Sequence, residues 1–120
     1  MQKIGIKPLS VNEAWQGKRY KTDKYKAYVK YLTLLLKPFK MPEGDLIILF
    51  EFGFSNKSSD WDNPVKPTQD ILQKKYKFND SRAMLGIVNK VIVPKGEEYV
   101  RFWIYPYKDI FNEIINLLNK

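Results

Sequence analysis

The nine-residue run Leu46–Phe54, LIILFEFGF, constrains this chain more than any other segment. Its residues are nearly all β-formers. It is bounded by the turn residues Pro42, Glu43 and Gly44 on one side and by polar Ser55–Ser59 on the other, so it reads as a central strand. A central strand needs a partner on each edge and a covering layer, and the rest of the sequence is expected to supply both.

With 120 residues the chain is long enough for one core, so a single domain over 1–120 is expected. Hydrophobic residues at 44% and charged residues at 28% fit a globular protein. The longest continuous apolar run, Leu46 to Phe50, falls far short of the roughly 18 residues of a spanning helix, so no membrane partner is expected. The opening Met1-Gln2-Lys3-Ile4-Gly5-Ile6 has no continuous apolar stretch after its charge, which argues against a secretory signal and for the cytoplasm.

The absence of both Cys and His removes disulfides, zinc fingers, thiol nucleophiles and imidazole bases. Thirteen carboxylates remain, and these favour hard cations such as Mg²⁺ or Mn²⁺. The 21 Lys and Arg leave a net charge of +8, which suggests a polyanionic partner.

Alternation predicts a first strand between Lys3 and Leu9, ended by Pro8, and an exposed connection over Ser10–Lys21. Thr22 or Asp23 can cap a following helix, whose apolar positions Tyr28, Tyr31, Leu32, Leu35 and Leu36 run up to Pro38. Lys18, Arg19, Lys21, Lys24, Lys26 and Lys30 interleave here with Tyr20 and Tyr25. This densest positive segment reads as a phosphate-contacting arm or, equally, as a solvated helix face over core tyrosines.

Asn63-Pro64 starts a second helix running to about Lys77, with Val65, Thr68, Ile71, Leu72 and Tyr76 toward the core. Met84–Val93 and Val100–Tyr105 are expected to be strands joined as a hairpin by Pro94–Glu98. Val100, Phe102 and Ile104 should share one face, and Arg101 and Trp103 the other. A final amphipathic helix carries Ile110, Phe111, Ile114, Ile115, Leu117 and Leu118, and is expected to pack on the sheet or on a second subunit. The sum is a single α+β domain, a small mixed sheet packed with about three helices.

The chemistry concentrates in Asp60-Trp61-Asp62-Asn63-Pro64-Val65-Lys66-Pro67-Thr68-Gln69-Asp70. Were Asp60 and Asp62 extended, their Cα atoms would lie about 6.5 Å apart on one face, close enough to approach one cation. Lys66 enters from the first helical turn and can pair with Asp70 at i, i+4. Asp80 follows the helix and can fold back toward the same end. Acids around a cation with a nearby lysine suit phosphodiester hydrolysis, Lys66 stabilising the transition state or the leaving oxygen. Asp-x-Asp-Asn by itself fits loop and cap residues just as well.

The longer pattern, Asp60-x-Asp62-Asn63-x-x-Lys66-x-x-x-Asp70, then Asp80, then a strand with Lys90, resembles the RusA family of Holliday-junction resolvases. Ser10-Val11-Asn12 after a first strand and the basic stretch Lys18-Arg19-Tyr20-Lys21 resemble that family's opening, so the likeness covers most of 4–105. It implies a RusA-like fold and a homodimeric, Mg²⁺- or Mn²⁺-dependent endonuclease. Such an enzyme resolves four-way DNA junctions by paired symmetric incisions in recombination and repair, without an organic cofactor. Asp60, Asp62 and Asp80 match the family's metal-binding acids and Lys66 its catalytic lysine. Asn12, Lys18, Arg19, Lys21, Lys24 and Lys90 are the expected nucleic-acid contacts. Many members have two adjacent acids where this chain has Asn79-Asp80. The competing readings are a non-catalytic basic nucleic-acid-binding module and a small structural protein of a ribonucleoprotein particle.

Overall fold

A computed structural model describes residues 1–16, 20–108 and 110–120, with backbone alone at Gln16 and Tyr20. The strand expected at the centre is there: β4 (Leu46–Phe54) has seven of its nine residues buried. A strand that apolar is hidden only with a neighbour on each edge. Counting strands in chain order, β6 (Tyr99–Pro106) pairs antiparallel on one side and β5 (Ala83–Ile92) parallel on the other. β1 (Gln2–Ile4) adds antiparallel to β6, giving the order β1-β6-β4-β5.

This order corrects the hairpin expected between the last two strands. β5 and β6 are not neighbours; β4 lies between them, and Pro94–Glu98 carries the chain across it. Local pattern cannot see this, because the helix after β4 returns the chain to start β5 in the same direction, and parallel pairing follows from that crossover. The first strand is also shorter than expected, ending at Ile4.

The helices α2 (Asp23–Leu35) and α3 (Val65–Tyr76) share one core cluster with Ile48, Phe50, Phe52, Phe54, Val100, Phe102 and Ile104, the inward face of the sheet. Thr22 caps α2 by accepting the Tyr25 N–H at 3.1 Å. The helix buries Tyr25, Tyr28 and Leu32, a clean i, i+3, i+7 stripe, with Leu36 buried at its C-cap, and leaves Tyr31 and Leu35, expected inside, 55% and 50% exposed. Burying Phe52, Leu32 or Leu72 contributes about 1.5–3 kcal/mol each, against about 1 kcal/mol for a hydrogen bond. Apolar contact therefore sets the helix positions, and the buried 2.8 Å bond between the Tyr28 and Thr68 hydroxyls fixes their register. Burial pushes the Tyr28 phenol up to about 12.

The connection expected over Ser10–Lys21 contains a short helix, α1 (Val11–Ala14), with Ser10 as its cap, and a ribbon of β2 (Trp15–Gln16) and β3 (Tyr20–Lys21). A terminal helix, α4 (Ile110–Leu118), closes the chain without a buried residue. Among the described residues no helix is long and apolar enough to cross a membrane. The protein is a single α+β domain with, among the described residues, a four-stranded mixed sheet and three helices longer than one turn.

Candidate active site

The site forms where β4 hands over to α3. Asp60 is followed by turns through Pro64, the first helical N–H being that of Val65, which donates to Asp62 O at 3.0 Å. Pro64 is the cap residue and is fully buried, and Pro67 sits within the first turn, where it costs no intrahelical bond. These prolines fix the start of α3, and Val11 N–H donating to Asn63 O at 2.9 Å ties it to α1.

Because residues 61–64 are turns, Asp60 and Asp62 do not alternate along an extended strand. They face different cavities. Asp62, Lys66 and Asp80 line one open cleft of about 530 Å³, together with Trp61 and Gln69, floored by Ile48, Phe50 and Val88. Asp60 lines a neighbouring cavity of about 300 Å³ with Lys7, Ser10, Glu13, Asn63 and Glu98. Trp61, between them, is 56% exposed and packs into no core. Asn63 Nδ2 donates to Asp60 Oδ2 at 3.4 Å. Among the described residues no three carboxylates converge on one point. The structure thus brings together two of the three expected acids and the lysine, and sets Asp60 one cavity away.

Lys66 Nζ donates to Asp70 Oδ1 at 3.0 Å, as the i, i+4 spacing predicts. That hydrogen bond, the charge of Asp70 and then that of Asp80 push its ammonium above the usual lysine range, so it stays cationic. Gln73, missed at the level of sequence, bridges the acids from the next turn. With its amide oriented so that the nitrogen faces Asp70, it donates to Asp70 Oδ1 at 3.3 Å and accepts the Asp80 N–H at 3.0 Å. Its position at i+3 from Asp70 is the one signal that pointed to it. Asp80 opens a single 3₁₀ turn, Asp80–Arg82, capped by Asn79, whose Oδ1 accepts the Ser81 N–H at 2.9 Å. Asn79 therefore shapes the turn that presents Asp80. Arg82 anchors that turn to the start of β4 by donating to Gly44 O at 2.8 Å and to Pro42 O.

The expected nucleic-acid contacts divide three ways. Lys18 and Arg19 lie outside the described residues. Asn12, Lys21 and Lys24 are exposed on α1, β3 and α2: Lys21 Nζ sits 5.2 Å from the Tyr25 ring centroid and 5.8 Å from that of Trp15, and Lys24 pairs with Glu13 at 3.1 Å. Lys90 has a different partner from the one expected. Its ammonium donates to Lys57 O at 2.7 Å and to Ser59 O, over the Phe54 ring, so it staples the loop that leads into Asp60.

Comparison with known proteins finds no family model and no curated protein that matches this chain.

Asp62, Asp80 and the Gln69 amide are the oxygen donors that line the cleft, the chemistry from which Mg²⁺ takes one or two carboxylates while keeping several waters.

Proposed function

We propose that this protein is a metal-dependent DNA endonuclease that resolves four-way junctions by paired incisions, working as a homodimer, as its resemblance to RusA resolvases suggests. The single observation that carries the reading is the cleft lined by Asp62, Asp80 and Lys66 on a chain of net charge +8. A protein that only holds phosphate backbones gains nothing from two carboxylates in its concave surface, because they repel the polyanion.

In this reading Asp62 and Asp80 hold Mg²⁺ or Mn²⁺. When bound, the cation supplies charge neutralisation at the phosphate and Lewis acidity toward water. Lys66, kept protonated by Asp70, leaves that partner to meet the charge developing on the phosphate oxygens. Exposed at the cleft mouth, it needs only side-chain rotation to do so. Asp70 and Gln73 hold Lys66 and Asp80 in place before substrate arrives. Asp60, one cavity away, would be a further ligand only as its match to the family's first acid implies. Lys21 and Lys24, exposed beside α1 and α2, would contact the DNA backbone in this reading. The two-fold symmetry of a junction matches two such sites related by a dyad.

The test is an Asp62→Asn variant on a labelled junction. Loss of incision with junction binding retained is the expected result. Incision at the parental rate would remove Asp62 from the chemistry.

A further inference from the structure

We infer that the cleft takes the face of one unstacked nucleobase, held against Trp61 and Met84 beside the phosphate that Lys66 meets. The inference rests on the preceding reading for the phosphate, and on the apolar part of the cleft for the base.

Phosphate and cation chemistry leaves much of this cleft unused. Asp62, Lys66, Gln69 and Asp80 supply its polar groups, and the rest of the lining is apolar, with Trp61 and Met84 beside the floor of Ile48, Phe50 and Val88. A cation with six waters fills roughly 200 Å³ at about 30 Å³ per water, whereas the cleft encloses about 530 Å³. That volume is in the range of sites that hold a small organic group.

The apolar wall is a strip of the sheet that the helices leave open. Ile48 and Phe50, 1% and 4% exposed, pair with Gly86 and Val88 of β5, so alternation puts Met84, Gly86 and Val88 on the same helix-side face. There the cover ends: Met84 is 56% exposed, and Gly86 is exposed beside it. A Cβ on Gly86 would meet no atom nearer than Ile48 O at 4.0 Å, so nothing in the chain fills the space over it. Trp61 is held in place rather than loose. The turn that carries it is fixed by the Val65 N–H bond to Asp62 O, by the Val11 N–H bond to Asn63 O and by buried Pro64. An indole kept in water in the free protein regains its burial when a flat group covers it.

Lys66 selects which flat group that is. A cation in the same cleft, on a chain of net charge +8, favours a ligand that carries an anion, and a nucleotide joins phosphate to base through a single sugar. An aromatic side chain of a protein partner brings no such anion. Every base has a π-face, so the wall selects an unstacked base rather than a sequence. In an intact duplex both faces of a base are covered by its neighbours, and leaving the stack costs least where pairing is already broken, as at a branch point. Trp61 is thus a specificity residue, favouring distorted DNA through the base it admits.

The test is a binding cycle on four-way junctions in EDTA, where no strand is cut, with abasic sites placed one at a time along the strands at the branch point. One abasic position should weaken binding by the parent about tenfold. Trp61→Ala should weaken binding of the intact junction by a similar factor and be indifferent to that abasic site, and Trp61→Phe should restore most of the loss. Gly86→Val fills the wall without touching an acid and should behave as Trp61→Ala does; circular dichroism checks that each variant folds. In the parent, 5-iododeoxyuridine at the same position should photocross-link to Trp61 or Met84, read by peptide mass spectrometry. The absence of any sensitive abasic position, a Trp61→Ala variant that weakens intact and abasic junctions alike, or cross-links confined to Trp15 or Trp103 overturns the inference. None of these readouts needs incision. A protein that binds and never cuts still answers this question, and one that cuts without coupling at Trp61 keeps the nuclease reading and loses this one.

Discussion

The two cavities beside Trp61 are lined by acids two residues apart in sequence, yet they differ in what those acids are free to do. In the cleft, Asp62 and Asp80 are exposed beside an ammonium whose one partner among the described residues is another side chain. In the neighbouring cavity, Glu98 accepts from the Ser55 hydroxyl at 2.9 Å and the Gly96 N–H at 2.8 Å, and Glu13 is paired with Lys24. The lesson is that a carboxylate in a concavity is chemically available only when the fold has not already given it donors. The cleft qualifies, and the other cavity is built to hold loops together, with Asp60 at their border.

The largest effect separates the two directly. Asp62→Asn or Asp80→Asn should lower junction incision by a factor on the order of 10³ at constant DNA affinity, measured by single-turnover cleavage and by gel shift. Lys66→Ala should cost on the order of 10² in the same assay, because the cation's share of charge stabilisation remains. Asp60→Asn should fall near Lys66→Ala, while Glu98→Gln should stay within about twofold of the parent. A Glu98 variant as damaging as an Asp60 variant would move the metal into the second cavity and reverse the comparison.

Smaller effects test the supporting shell. Asp70→Asn removes the partner that holds Lys66 ready, so kcat should fall about tenfold with little change in KM. The smallest effect belongs to Glu98. Hydrogen bonding, from the backbone and then from Ser55, holds its carboxyl below the usual carboxylate range. A lowered folded value means that its contribution is complete above the ordinary value near 4.5 and is lost as pH falls through the lowered one. Glu98→Gln should therefore lower Tm slightly near neutrality and leave it almost unchanged in acid, so that the acid limb of a Tm-against-pH curve flattens.

Much of this molecule is legible in its sequence, and the failures have physical causes. LIILFEFGF, the Thr22 cap and the Pro64 start each announce their elements because the signal is local. The position of β4 between β5 and β6 is not local, and the hairpin expectation failed there. Tyr99 shows the same limit. Its ring lies over Gly53, where a Cβ would collide with it, and from there its hydroxyl reaches Glu51, a contact across 48 positions that no spacing reveals. At the site, spacing correctly paired Lys66 with Asp70, since a helix fixes i, i+4. It misplaced Asp60 relative to Asp62, since a turn fixes nothing of the kind. Lys90 is expected as a nucleic-acid contact, and its carbonyl partners, at Lys57 and Ser59, are not legible because they lie on a loop 33 and 31 positions away.

The most direct measurement incubates the protein with an end-labelled four-way junction and, alongside it, a linear duplex of matching sequence, each with Mg²⁺ and with EDTA. Paired, symmetric nicks confined to the junction and abolished by EDTA are the result this account expects. Tight junction binding without incision in Mg²⁺ or Mn²⁺ would contradict it, and would leave the acidic cleft as an ornament on a DNA-binding module.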